Sequence, residues 1–179
     1  MVRLAKTLLL LSTMLLISCG WQLQGARRIP ETLSPLYLDL TDTHSDFAQA
    51  LRARLRRAGV NVSEQRGQAQ AILRISTDTS GHHVSSVSAL NEPVQYEVYY
   101  NIEYRLDRVA LNGVGEAGNV LPPQALGQST TMSYDKTLAL AKQREELSLR
   151  ERLADDLAAQ VLRRIGLLSN ESTVSINSQ

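Results

Sequence analysis

One cysteine, three histidines and eight aromatics in 179 residues leave little material for several common kinds of site. A lone thiol cannot close an intramolecular disulfide or build a Cys-rich zinc centre. Neither sign of charge is in excess, with 19 Lys+Arg against 18 Asp+Glu. That balance argues against a nucleic-acid partner, whose phosphates call for a basic surplus. No apolar run reaches the roughly 20 residues a helix needs to cross a bilayer. What is present is an ordinary globular composition, 43% hydrophobic and 21% charged. The length is enough for one domain with a real core.

The position of the cysteine matters more than its count. Arg3 and Lys6 precede an apolar stretch from Leu8 to Ile17, the proportions of a secretory signal peptide. Leu16-Ile17-Ser18-Cys19 then resembles the bacterial lipobox. That resemblance implies cleavage before Cys19, S-diacylglycerol on its thiol and an N-acyl group on its new amine. Two buried chains already give stable anchoring, so three make release negligible. The alternative is a free Cys beside a signal peptide cut elsewhere. Gly20 rather than Asp after the cysteine favours the outer over the inner membrane. Loss of residues 1–18 removes Arg3 and Lys6, so 17 basic residues face 18 acidic ones in a mature chain of 161.

Periodicity predicts the elements that follow. Leu36, Leu38 and Leu40 alternate with Tyr37 and Asp39 as a short strand. Thr43-x-x-Asp46 reads as a capping box for a helix over about 44–58 that carries Phe47, Leu51 and Leu55 and ends at Gly59. Val60 and Val62 suggest a short extended piece. Ala69 to Ser76 alternates as a second main strand, with Ser80-Gly81 as a turn or bulge and the chain extended on to Val84 and Val87. The clearest alternation runs from Val94 to Leu106, with one face apolar and the other polar throughout, which implies an antiparallel sheet wet or partner-bound on one side. A turn-rich stretch spans 112–118, and a last strand is expected from about Ala125 to Tyr134, after Pro122-Pro123. Leu149, Leu153, Leu157, Val161 and Ile165 recur every four residues in a helix of about 25 residues that should stop at Gly166. The expected fold class is α+β: two helices packed on one face of a mostly antiparallel four-stranded sheet. The expected divisions are a signal peptide (1–18), a single α+β domain (19–168) and a disordered polar tail (169–179).

Candidates for chemistry are few. His82-His83 lacks further ligands, and neighbours on a strand point to opposite faces, so it reads as a surface pair in a loop. His44 stands alone. Gly113-x-Gly115-x-x-Gly118 matches a dinucleotide fingerprint, but Pro122-Pro123 blocks the helix that must follow, and no βαβ unit surrounds it. Glu145-Glu146 and Asp155-Asp156 lie among arginines on a helix and read as solvated charges rather than an acid/base pair. No catalytic, metal or cofactor site is expected. The mature chain uses 15 Arg and only two Lys. That suits bidentate anion contacts, and equally a GC-rich genome.

Three stretches together resemble the family of LPS-assembly lipoproteins, LptE. They are Cys19-Gly20-Trp21-Gln22-Leu23, Glu92-Pro93-Val94-Gln95-Tyr96-Glu97-Val98, and Ala139-Leu140-Ala141-Lys142-Gln143 followed by acids and an amphipathic helix closing on Leu162-Arg163-Arg164-Ile165. The resemblance implies a non-enzymatic lipoprotein of the outer membrane, anchored in its inner leaflet. Such a protein plugs the lumen of the β-barrel LptD, assists its assembly and the insertion of lipopolysaccharide, and can bind lipopolysaccharide itself. It points to Lys142, and to Lys136 just before it, as lipopolysaccharide contacts. Family members tend to carry a basic residue in the turn before the long strand, and Ser88-Ala89-Leu90-Asn91-Glu92 departs from that pattern. The alternative role is an outer-membrane lipoprotein serving as scaffold or pilotin for another envelope machine.

Overall fold

The computed structural model describes residues 30–109 and 116–174. Cys19, Trp21 and the signal peptide lie outside these residues, as do 110–115 and 175–179. Five strands form one sheet in the order β2-β1-β3-β4-β5. They are β1 (Leu36–Leu40), β2 (Val62–Ser63), β3 (Ala71–Val87), β4 (Pro93–Val109) and β5 (Glu116–Ser133). β1 runs parallel to β2 and β3, whereas the long β3–β4 and β4–β5 pairs are antiparallel. Helix α1 (Asp46–Arg57) crosses from β1 to β2, and α2 (Ala139–Val174) follows β5. The α+β class is as expected. The count is five strands rather than four, because the Val62–Ser63 piece pairs with β1 and so becomes the far edge.

Alternation in β4 decides which face is covered. Val98, Tyr100, Ile102, Tyr104 and Leu106 are buried, together with Leu73 and Ile75 of β3. Phe47, Leu51 and Leu55 of α1 and Leu153, Leu157, Val161 and Ile165 of α2 complete the same core. At about 25 cal/mol per Å2 of buried apolar surface, this cluster is the dominant stabilising term. The opposite face carries Glu97, Tyr99, Asn101, Glu103 and Arg105, as a sheet covered on one side requires.

Four local expectations are corrected. The cap of α1 is Ser45, whose Oγ accepts from Ala48 N–H at 3.0 Å, whereas Thr43 Oγ1 contacts His44 Nδ1. Ser45 prevails because its hydroxyl also donates to Asp78 at 2.5 Å, tying the cap to the sheet. Ser80, Gly81, His82 and His83 lie within a continuous 17-residue strand, not in a turn or loop. Tyr99 lies over Gly81, so that a Cβ there would sit 2.9 Å from its hydroxyl. β5 runs through Pro122-Pro123 instead of starting after them. The register slips there between Tyr104↔Gln124 and Leu106↔Leu121, and an edge strand at a bulge tolerates the missing N–H groups. Finally, α2 passes Gly166 and continues to Val174, into the stretch expected as a disordered tail. A glycine costs a helix only about 1 kcal/mol, too little to break one already packed along the core. Gly59, in contrast, ends α1 at φ +70° as expected. Of the turn-rich 112–118 stretch, Gly113 and Gly115 lie outside the described residues, and Gly118 belongs to β5.

Candidate functional site at the hairpin end of the sheet

Lys136 and Lys142 are brought to one end of the sheet, where β3 turns into β4 and β5 passes into α2. Lys136 sits in a single 3-10 turn (Lys136–Leu138), and Lys142 in the first turn of α2. Asp135, just before Lys136, caps the 3-10 turn. Its carboxylate accepts from the hydroxyl and the N–H of Thr137, which hold its pKa below the usual value, with smaller help from the two lysines. Lys136 Nζ donates to Glu92 Oε1 at 2.9 Å across to the β3–β4 turn, and its side chain is 72% exposed. Lys142 Nζ donates to Glu145 Oε2 at 2.8 Å and to Ser133 Oγ at 3.2 Å, and its side chain is only 16% exposed. Lys136 therefore meets solvent, whereas Lys142 is laid along the β5–α2 junction and partly neutralised.

The surroundings of these lysines were not legible as a site in the sequence. Val84, Val87, Leu90 and Val94 of the β3–β4 hairpin are exposed, and so are Leu138 and Leu140 beside Lys136. Leu90 is 84% exposed at the tip of a turn in which Asn91 takes φ 60°. Two ammonium groups are thus bordered by an exposed apolar fringe drawn from segments about 50 residues apart, so only folding assembles it. An available signal was the apolar Leu90 in a turn, a place where polar residues prevail. Such an end offers cations to phosphate and apolar surface to acyl chains.

The histidine pair points to opposite faces. His82, on the helix side, has Nδ1 3.0 Å from Glu146 Oε1 and packs edge-on against Tyr96, which packs in turn against Tyr134. His83, on the open face, has Nε2 3.2 Å from Glu97 Oε2. It borders a shallow groove of about 400 Å3 with Tyr99, Asn101, Gly127 and Ser129. His44 lies before α1, at its contact with Thr43. Among the described residues, no three His, Cys, Asp or Glu side chains converge as metal ligands. The paired carboxylates are split among separate partners. Glu145 faces Lys142, Glu146 faces His82, and Asp155 accepts both Nε and Nη2 of Arg54 at 2.7 and 2.6 Å. The hydrogen bonds from Arg54 hold the Asp155 carboxyl below its usual pKa.

Comparison with known proteins bears on what this arrangement serves. The family model described as lipopolysaccharide-assembly, LptE, matches residues 33–165. The LPS-assembly lipoprotein LptE of Yersinia enterocolitica is 24% identical over 164 residues, covering 91% of this chain and 75% of that one. Its counterpart from Pectobacterium atrosepticum is 22% identical over 173 residues, covering 96% and 90%. In fold, the chain is similar to lipoprotein B of Nitrosomonas europaea (TM-score 0.63, 18% identity, 85% and 94% covered). It is also similar to a minor lipoprotein of Acinetobacter baumannii (TM-score 0.58, 20% identity, 74% and 90% covered). With a match that spans all five strands of the sheet, α1 and most of α2, this chain belongs to the LptE family of lipopolysaccharide-assembly lipoproteins.

Proposed function

We propose that this protein is an outer-membrane lipoprotein, anchored through acyl groups on Cys19, that plugs and helps assemble the β-barrel LptD and contacts lipopolysaccharide at the hairpin end. The observation that carries the reading beyond the family is the pairing of cations with apolar surface at that end. Lipopolysaccharide combines phosphates with acyl chains, and Lys136 and Lys142 stand among Val87, Leu90, Leu138 and Leu140. The open face supports the plug role. It bears hydroxyls, amides and paired charges, such as Arg74 Nε with Asp39 Oδ2 at 2.9 Å. A polar, water-lined barrel interior is matched by such a face. The work is that of a scaffold and a binding surface, with no turnover.

The test is purification of the acylated protein from outer-membrane extracts without added crosslinker. Recovery of a large barrel in equal amount, and loss of folded barrel on depletion of this protein, is the expected result. A lipoprotein recovered alone, with barrel assembly normal in its absence, would reject the plug. A different stable partner would instead favour the scaffold or pilotin role.

A further inference from the structure

The end of the molecule opposite the hairpin is unusually rich in arginine. Asn61 C=O accepts from Leu36 N–H at 2.9 Å, which sets the close of α1 beside the start of β1. Arg56 and Arg57 therefore lie at that end. Arg66 lies in the turn before β3, and Arg108 lies on β4 opposite Ala71, the first residue of β3. Arg163 and Arg164 come from α2, where Arg164 is close enough to Tyr104 to act on its hydroxyl electrostatically. All six are exposed. No carboxylate among the described residues pairs with Arg56, Arg108, Arg163 or Arg164. Glu31 and Glu64 are exposed acids near that end, and Glu116 begins β5 there opposite Val109. The hairpin end is the reverse, with Glu92, Glu97, Asp135, Glu145 and Glu146 set against three cations, Lys136, Lys142 and Arg144. A nearly neutral total thus conceals two oppositely biased poles.

Chain length says which pole faces the membrane. Pro30 is tied by Leu33 N–H to the 3-10 turn that leads into β1, so the chain enters at the arginine end. From Cys19 to Pro30 an extended chain reaches at most about 40 Å. The sheet, 17 residues long in β4, spans about 55 Å. A lipid on Cys19 holds the arginine end near the bilayer and cannot draw the hairpin end there while the sheet stands upright.

We infer that the arginine end is a docking surface for the headgroups of an anionic phospholipid leaflet. It acts with the acyl anchor on the free lipoprotein, before it enters the barrel, and sets the long axis of the sheet upright, so that the hairpin end points away from the headgroups. The inference rests on the anchor at Cys19 proposed above. A cluster of cations held within a Debye length of an anionic leaflet is attracted additively, and guanidinium suits phosphate through bidentate hydrogen bonds.

The test uses the acylated mature protein in nanodiscs of phosphatidylcholine alone or with about 30% phosphatidylglycerol. Because Cys19 is the only native cysteine and is acylated, Leu167→Cys at the arginine end and Leu90→Cys at the hairpin end each accept one fluorophore. Quenching by headgroup nitroxide lipids then reports proximity. The expected result is quenching at position 167 that rises about twofold or more with phosphatidylglycerol and falls back in 0.5 M salt, with little at position 90. Arg56→Gln, Arg57→Gln, Arg163→Gln and Arg164→Gln combined should abolish the rise while circular dichroism and thermal unfolding stay those of a folded protein. Equal quenching at 167 in both discs, or stronger quenching at 90, overturns the inference with the anchor intact. Wild-type protein that fails to stay on either disc overturns the anchor itself, and this inference with it.

Discussion

Tyr100 and Tyr104 stand four residues apart on β4, both buried by the helices, and their hydroxyls have opposite circumstances. Tyr100 Oη donates to Asp78 Oδ1 at 2.8 Å and accepts from Phe47 N–H at 3.1 Å, while Asp78 Oδ2 accepts from the Ser45 cap. Burial above all pushes its pKa well up, so it remains a donor at any physiological pH. Tyr104 Oη is buried with no hydrogen-bond partner among the described residues, and burial raises its pKa too. Tyr100→Phe should therefore cost about 1–3 kcal/mol, because it leaves the buried Phe47 N–H without its acceptor and the half-buried Asp78 with Ser45 as its remaining donor. Tyr104→Phe should be neutral or slightly stabilising, measured by denaturant unfolding. Equal losses would mean that ring packing, not the hydrogen bonds, distinguishes the two. At the hairpin end, Lys136→Asp should weaken lipopolysaccharide binding about fivefold, as expected for an exposed cation near phosphate. Lys142→Asp also sets a carboxylate against Glu145 at a largely covered position, so its fold must be checked by circular dichroism before its binding is read. Unchanged affinity for Lys136→Asp at low salt would remove that residue from the site.

Between elements, the helices are held to the sheet by apolar packing and to each other by one bidentate pair. Leu157 has no exposed surface, so Leu157→Ala should cost about 2–5 kcal/mol through lost burial and the cavity left behind. Arg54 and Asp155 join α1 to α2 in a partly exposed setting, where solvent screening limits such a pair to about 1 kcal/mol or less. The folded-state pKa of Asp155 is depressed, so this contribution is present above the unfolded carboxylate value, near pH 4, and is lost as pH falls through the folded one. Asp155→Asn should accordingly narrow the stability difference from wild type as the solution is acidified below about pH 4. A difference that stays constant down to pH 2 would show that the pair is not formed. The two helices were both legible from their four-residue recurrences, since an amphipathic stripe is a local property of the chain. One end of each was not, although Gly59 marked the close of α1. Ser45 prevailed as cap because of Asp78 on β3, 33 residues away, and α2 outran Gly166 because packing outweighs one glycine.

For the whole molecule, the decisive features are a covered sheet face, an open one and two unlike ends. If Cys19 is the anchor, Cys19→Ala should release the protein from the membrane fraction on sodium carbonate extraction once its signal peptide is cleaved. Retention would place the anchor elsewhere. If the open face lies in a barrel, cysteines placed at Asn101 and Ser129 should crosslink to barrel residues in native membranes, and cysteines at Leu157 should not. Labelling of Asn101 by a water-soluble maleimide, undiminished in the presence of the barrel, would show that this face stays wet.

The sequence alone determined the α+β class, the long half-polar strand, both helical stripes and the family, because periodicity and short motifs are written locally. Its single cysteine left no thiol pair for an intramolecular disulfide or a Cys-rich zinc centre, and its neutral charge sum argued against a nucleic-acid partner. Only the tertiary structure decided that Pro122-Pro123 sit within an edge strand, and that His82 and His83 serve opposite faces of a strand rather than a loop. It alone set Lys136 and Lys142 among the apolar residues of a distant hairpin, and gathered six arginines at the other end. Those arrangements depend on register and on which strand is left at the edge. Such properties arise from pairing segments far apart in the chain, where a one-residue slip would turn every side chain to the other face.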